Sequence, residues 1–185
     1  MIAGAAQAQT TPTRIRGSIA SLDGNTLSVI TRDGPTVTIT LASNYTVGAI
    51  VPATLAAIKP GSTIGIVGFG PPTKQRAAVI SIFPPGANVA EAQFAWDSEP
   101  DSIMTNAPVT TEVASTTGRT LMVTVKGAPV EVTVPDNAIV QTSEPGTPAL
   151  LVPGAKVLVG AQKTADGTLT ASRINVGKDG VTPAN

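Results

Sequence analysis

Residues 13–82 and 107–176 are two copies of one β-rich unit, and no other feature restricts the fold as tightly. Gly24-Asn25-Thr26-Leu27-Ser28-Val29 returns as Gly118-Arg119-Thr120-Leu121-Met122-Val123, an offset of 94. Asn44 matches Asn137, and Pro60-Gly61 matches Pro153-Gly154, both at an offset of 93. The single-residue slip falls at the hairpin that holds Arg32-Asp33-Gly34-Pro35 in one copy and Lys126-Gly127-Ala128-Pro129 in the other. Solenoid repeats are far shorter, so copies of about 70 residues read as whole domains. A lone core of that size is marginal, which predicts that the copies pack together or are tied by the segment between them.

Each copy alternates like a meander. Arg14–Ser21, Thr26–Thr31 and Thr36–Leu41 read as three strands separated by Asp23-Gly24-Asn25 and Asp33-Gly34-Pro35, residues that tolerate the backbone of tight turns. Asn44–Val51 is less regular. Pro52–Ile58 reads as a short helix ended by Lys59-Pro60-Gly61. Thr63–Gly68 and Arg76–Phe83 follow as a returning pair. Copy two repeats this with Val109–Ala114, Thr120–Val125 and Val130–Val134. Thr147–Leu151 stands in place of the helix, and Lys156–Gln162 and Thr168–Val176 pair across Ala165-Asp166-Gly167.

Three strands, a short helical connection and two strands predict an all-β protein of two tandem small barrels of the oligonucleotide/oligosaccharide-binding (OB) type, each with one short helix. A six-stranded barrel or a small sandwich are the alternatives. The expected division is a tail over 1–12, a first barrel over 13–83, a linker over 84–106, a second barrel over 107–177 and a tail over 178–185. Aromatic residues make up only 3% of the chain against 42% hydrophobic residues overall, so Val, Ile, Leu and Ala must fill the cores.

The absence of Cys and His excludes disulfides, the usual zinc sites, a His base and a Cys nucleophile. An enzyme would have to rest on carboxylates, Lys, Tyr or hydroxyls. Only Asp97-Ser98-Glu99-Pro100-Asp101 clusters carboxylates, with no nucleophile or oxyanion motif beside it, so the reading is non-enzymatic, with no cofactor and no metal. That run opens like a calcium loop, but Ser102 stands where the glycine should be and Pro108 where the bidentate glutamate should be. Gly65–Gly70 is glycine-rich without the helix and Lys-Ser/Thr of a phosphate cradle, and Thr116-Thr117-Gly118-Arg119 is a hairpin turn. The net charge of zero divides into +4 over residues 1–90 and −4 over 91–185. Neither half has the basic footprint of a nucleic-acid binder, and five aromatic residues offer little stacking surface.

The unrepeated segment holds Phe94 and Trp96 beside Asp97, Glu99 and Asp101. It is either a binding loop or an ordered linker whose aromatics plug a groove. The expected ligand site, if there is one, combines Phe94, Trp96, Asp97, Glu99 and Asp101 with Arg14 and Arg16 in a groove between the barrels. Trp96 would stack, the acids would orient a cation or hydroxyls, and the arginines would meet an anion. Met1–Gln9, with Ala6-Gln7-Ala8 as a small-x-small site, reads as the end of a signal peptide or as a plain disordered, Ala/Gln-rich tail, and the first reading predicts a periplasmic or secreted protein. The chain contains no run of 18 or more apolar residues.

Gly17-x-Ile19-x-x-Leu22-Asp23-Gly24-Asn25-Thr26-Leu27-x-Val29 followed by Ile58-Lys59-Pro60-Gly61-Ser62 resembles a bacterial exported domain known as domain of unknown function 5666. Val152–Val157 and Asp166–Ile174 resemble it more closely still. The resemblance spans both copies and rests on turn and core residues. It implies an OB-like barrel in an exported protein and carries no ligand or catalytic residue. Two-copy relatives with a similar linker carry the label of metal transporter permease, which a chain without apolar spans contradicts. The function expected is therefore a non-catalytic exported module that binds a small molecule, a glycan or an envelope protein. The alternatives are an envelope scaffold that self-associates, or an accessory component beside a metal transporter.

Overall fold

The computed structural model describes residues 13–115 and 118–184, with the side chains of 112–118 left aside. Met1–Gln9 and the Thr116-Thr117 turn lie outside the described residues. The protein is all-β: among the described residues there is no α-helix. Its strands are β1 (Thr13–Asp23), β2 (Thr26–Thr31), β3 (Thr36–Pro52), β4 (Thr63–Phe69), β5 (Lys74–Ile82), β6 (Ala92–Ala95), β7 (Ile103–Ser115), β8 (Gly118–Val125), β9 (Ala128–Val134), β10 (Ile139–Pro145), β11 (Lys156–Lys163) and β12 (Leu169–Gly177).

Two compact units form, and they do not follow the repeats. Unit 1 joins residues 1–48 to 146–176; unit 2 joins 49–145 to 177–185. This division runs across the boundaries 13–83 and 107–177 expected from the sequence. Each unit takes its meander from one repeat and its returning pair from the other. In unit 1, β1 pairs antiparallel with β11 through Ile15↔Val159 and Gly17↔Val157. In unit 2, β7 pairs antiparallel with β4 through Thr105↔Ile66 and Ala107↔Ile64. The turns make the same exchange. Gly61 of repeat one donates its backbone N–H to the Val109 carbonyl of repeat two at 2.8 Å, and Gly154 of repeat two donates to the Ile19 carbonyl of repeat one at 2.7 Å.

Unit 2 contains a closed five-stranded ring. β7–β8–β9 is an antiparallel meander, β4 joins β7 and β5, and β5 closes on β9 in parallel through Gln75↔Val132. β6 lies outside the ring on β7, and β10 lies parallel to β5. Its core is aliphatic, led by Ile64, Ile66, Ile80, Leu121, Val123 and Val132. In unit 1 the run β11–β1–β2–β3 is antiparallel, and β12 pairs with both β11 and β3. Its core joins Ile15, Ile19, Leu27, Val29 and Ile39 to Val159 and Ile174. Core positions alternate along β2 and β9, as one-sided burial requires, whereas β4 is buried on both faces.

The short helices expected from Pro52–Ile58 and Thr147–Leu151 are each a single three-residue 3₁₀ turn, Leu55–Ala57 and Pro148–Leu150. Thr54 and Ile58 are extended on either side, so only one turn fits, which is too little to offset the cost of nucleating an α-helix. The irregular stretch expected at Asn44–Val51 is instead strand, since β3 continues unbroken to Pro52. The chain passes from unit 1 to unit 2 inside that strand.

Candidate functional site

The linker forms a β-hairpin with β7. Ala92–Ala95 pair with Ile103–Asn106, so strand structure begins well before Val109. The intervening loop is closed by Ser102, whose hydroxyl donates to the carbonyls of Glu99 at 2.7 Å and Trp96 at 3.2 Å. Trp96 N–H donates in turn to the Ser102 carbonyl at 2.7 Å. Asp101 takes the left-handed conformation at φ 59, which turns the loop back into β7. Asp97, Glu99 and Asp101 are exposed on this loop. Among the described residues no group of three or more carboxylates is placed to hold a metal ion.

Trp96 is only 9% exposed. It packs with Val67 and Met104 against Val79, its ring meets Phe94 edge-on at 5.8 Å, and its indole N–H donates to the Ala184 carbonyl at 3.2 Å. Phe94 is 38% exposed. Within unit 2, then, the linker aromatics cover the outer face of β4, β5 and β7. Arg14 and Arg16 belong to unit 1, on β1 opposite Gly160 and Leu158 of β11; Arg14 is exposed and Arg16 half-buried. Of the expected site residues, the structure brings Phe94, Trp96, Asp97, Glu99 and Asp101 onto one hairpin and the two arginines onto one strand.

Unit 1 also carries a pocket that the sequence reading did not single out. It is open, about 480 Å³ in volume, and lies where β3, β11 and β12 meet. Leu41 and Ala171, both buried, form part of its lining, together with Ala42 and Gly160. Thr40, Gln162, Thr170 and Ser172 supply the polar groups. The pocket sits at a gap in strand pairing. β11 and β12 are in register at Val159↔Ile174 and again at Gln162↔Thr170, with two residues between on β11 and three on β12. In unit 2 the equivalent strands keep pairing almost through this point, at Val67↔Val79 and Gly68↔Ala77. A signal for the pocket was present in the repeat: Gly160 and Gln162 stand where the other copy has Val67 and Phe69.

Asp166 lies in the β11–β12 turn. Its carboxylate accepts from the Thr164 hydroxyl and from the Thr168 backbone N–H at 3.1 Å. These bonds, the Thr164 hydroxyl first, hold its pKa below the ordinary carboxylate value.

No family model, no curated protein and no solved structure matches the chain.

Proposed function

We propose that the protein is a non-catalytic binding or interaction module built from two OB-like barrels. The observation that carries this reading is the open pocket of unit 1, whose volume falls in the roughly 300–1,000 Å³ range of small-molecule sites. It has an apolar floor and a few polar groups around it, the arrangement that orients a small ligand without reacting with it. The barrel part of the reading is supported by strand order. In unit 2 a three-strand meander is bridged between its first and third strands by a returning pair, as in a five-stranded Greek-key barrel. Unit 1 closes in the same manner in this proposal, with β12 joining β11 to β3.

Export to the periplasm or beyond belongs to the same proposal and is supported by the Ala6-Gln7-Ala8 pattern. No helix of the described residues is long and apolar enough to cross a membrane.

A thermal-shift screen over sugars, divalent metals and anions tests the reading, because a ligand that binds only the folded form stabilises it by about 2.7 kcal/mol at a hundredfold excess over Kd. A module of this kind shows a dose-dependent rise in Tm with at least one class. A chain that responds to none, and self-associates in analytical ultracentrifugation, is a scaffold instead.

A further inference from the structure

The two copies share their turns and core positions but diverge at one place. Across the pocket of unit 1, Gly160, Gln162, Thr170 and Ser172 replace Val67, Phe69, Arg76 and Ala78 of unit 2. Each change removes bulk, apolar surface or charge, or adds a hydroxyl or an amide. The backbone diverges with the side chains. The two pairs that unit 2 makes beside its bulge, Val67↔Val79 and Gly68↔Ala77, have no counterpart between Gly160–Ala161 and Ala171–Arg173. A Cβ placed on Gly160 would meet nothing within 4 Å, so the space above it is open.

We infer that this opening is a binding site for a neutral, polyhydroxylated ligand of the size of a mono- or disaccharide. The proposal rests on the binding-module reading and names its ligand class. Among the described residues no ionisable side chain forms part of the lining, and the exposed Arg14 stands beside it, on β1 opposite Gly160. The Thr40 and Ser172 hydroxyls and the Gln162 amide can each both donate and accept, which suits hydroxyl groups that do the same. The Thr170 hydroxyl donates weakly to the Gln162 carbonyl at 3.4 Å and keeps its acceptor capacity. The half-buried Ala42 and the methyl groups of Thr40 and Thr170 give the C–H face of a sugar ring an apolar surface. The bulge adds backbone groups that strand pairing leaves out of register.

Unit 2 also supplies the variant that tests the site. Gly160→Val restores the side chain found at the matching position, Val67, and should fill the opening without disturbing the fold. The full-length chain, labelled with ¹⁵N, is titrated with glucose, N-acetylglucosamine and maltose, with glucuronate and sulfate as charged comparisons. The expected result is saturable shifts of the Thr40, Gly160, Gln162 and Ser172 amides with a neutral sugar. Those shifts should vanish in Gly160→Val, with circular dichroism and the remaining amides unchanged. Ser172→Ala should weaken binding by about tenfold, the effect of one lost hydrogen bond. Sugar binding that survives Gly160→Val, or that maps to other amides, overturns the assignment. A chain that binds sulfate, glucuronate or a metal but no neutral sugar overturns the ligand class and leaves the module reading standing. A chain that binds nothing in this titration or in the thermal-shift screen overturns both.

Discussion

Gly48 and Asn175 in unit 1 occupy the positions that Gln141 and Ser81 hold in unit 2, and the two pairs solve one packing problem in opposite ways. In unit 2 the long amide sits on β10, where Gln141 Nε2 donates to Ser81 Oγ at 2.8 Å. In unit 1 the amide sits on β12, and a Cβ at Gly48 would lie only 2.7 Å from Asn175 Oδ1. That oxygen already accepts from Arg173 Nε at 3.3 Å, so it cannot move aside without loosening a bond. Gly48→Ala is therefore expected to lower stability by about 1–2 kcal/mol in urea denaturation, and Asn175→Ser in the same chain to restore most of it. Simple addition of the two costs would refute the pairing. Asp166 gives a residue-scale prediction in pH. Its pKa is lowered in the folded state, so the turn it caps is favoured above the ordinary carboxylate pKa of about 3.9 and loses that contribution as pH falls through the lower folded value. The Thr168 amide resonance should report a midpoint below that of an unfolded peptide, and Asp166→Asn should flatten the curve.

At the scale of elements, the meanders were legible because alternation and turn chemistry are local. Leu27 and Val29 face one way, Asp23-Gly24-Asn25 makes the turn with Gly24 at φ 54, and the register Leu27↔Ile39 follows. The length of β3 was not legible. Asn44, Thr46 and Gly48 weaken the pattern that the pairing partners of its second half sustain, and partners distant in sequence leave no local trace. The 3₁₀ turns were misjudged as helix for a related reason: Ala53–Ala57 has helical propensity, but extended residues on both sides decide the outcome. Close packing of strands also sets some residues. A Cβ on Gly17 would run into the Ile30 carbonyl oxygen across the β1–β2 ladder, so Gly17→Ala should cost several kcal/mol or prevent folding, measured as loss of soluble, cooperatively unfolding protein. The linker hairpin makes the opposite point. Trp96 was foreseen both as a platform and as a plug, and in unit 2 it is buried on Val67 and Met104. Trp96→Ala should lower stability by about 3–5 kcal/mol, while Trp96→Phe should lose less, keeping the packing and giving up mainly the bond to Ala184. Equal losses in the two variants would mean that packing is not what Trp96 supplies.

For the whole molecule, the repeated turn and core motifs read as a doubled chain but carry no sign of which strands pair. The returning pairs are interchangeable at the positions that matter. Pro60-Gly61 and Pro153-Gly154 make the same turn, with Gly61 and Gly154 both at φ 86, and Ile64 and Ile66 match Val157 and Val159. Either meander could accept either pair by local chemistry alone. The exchange also redistributes charge: unit 1 holds six basic and three acidic side chains, unit 2 six and nine. The candidate ligand residues were legible only in part, since a pocket formed where β3 meets two strands over a hundred residues away has no contiguous motif. The exchange of strands between repeats is the central claim, and cutting the chain between them tests it most directly. A protease site inserted between Ala87 and Asn88 lies in the loop that joins β5 to β6, outside every strand. After complete cleavage the account predicts one particle in native mass spectrometry, with the mass of the intact chain, unchanged circular dichroism and a cooperative melt, because β1–β11 and β4–β7 pairing hold the fragments together. Two separately folded fragments, each running at about half that mass, would contradict it.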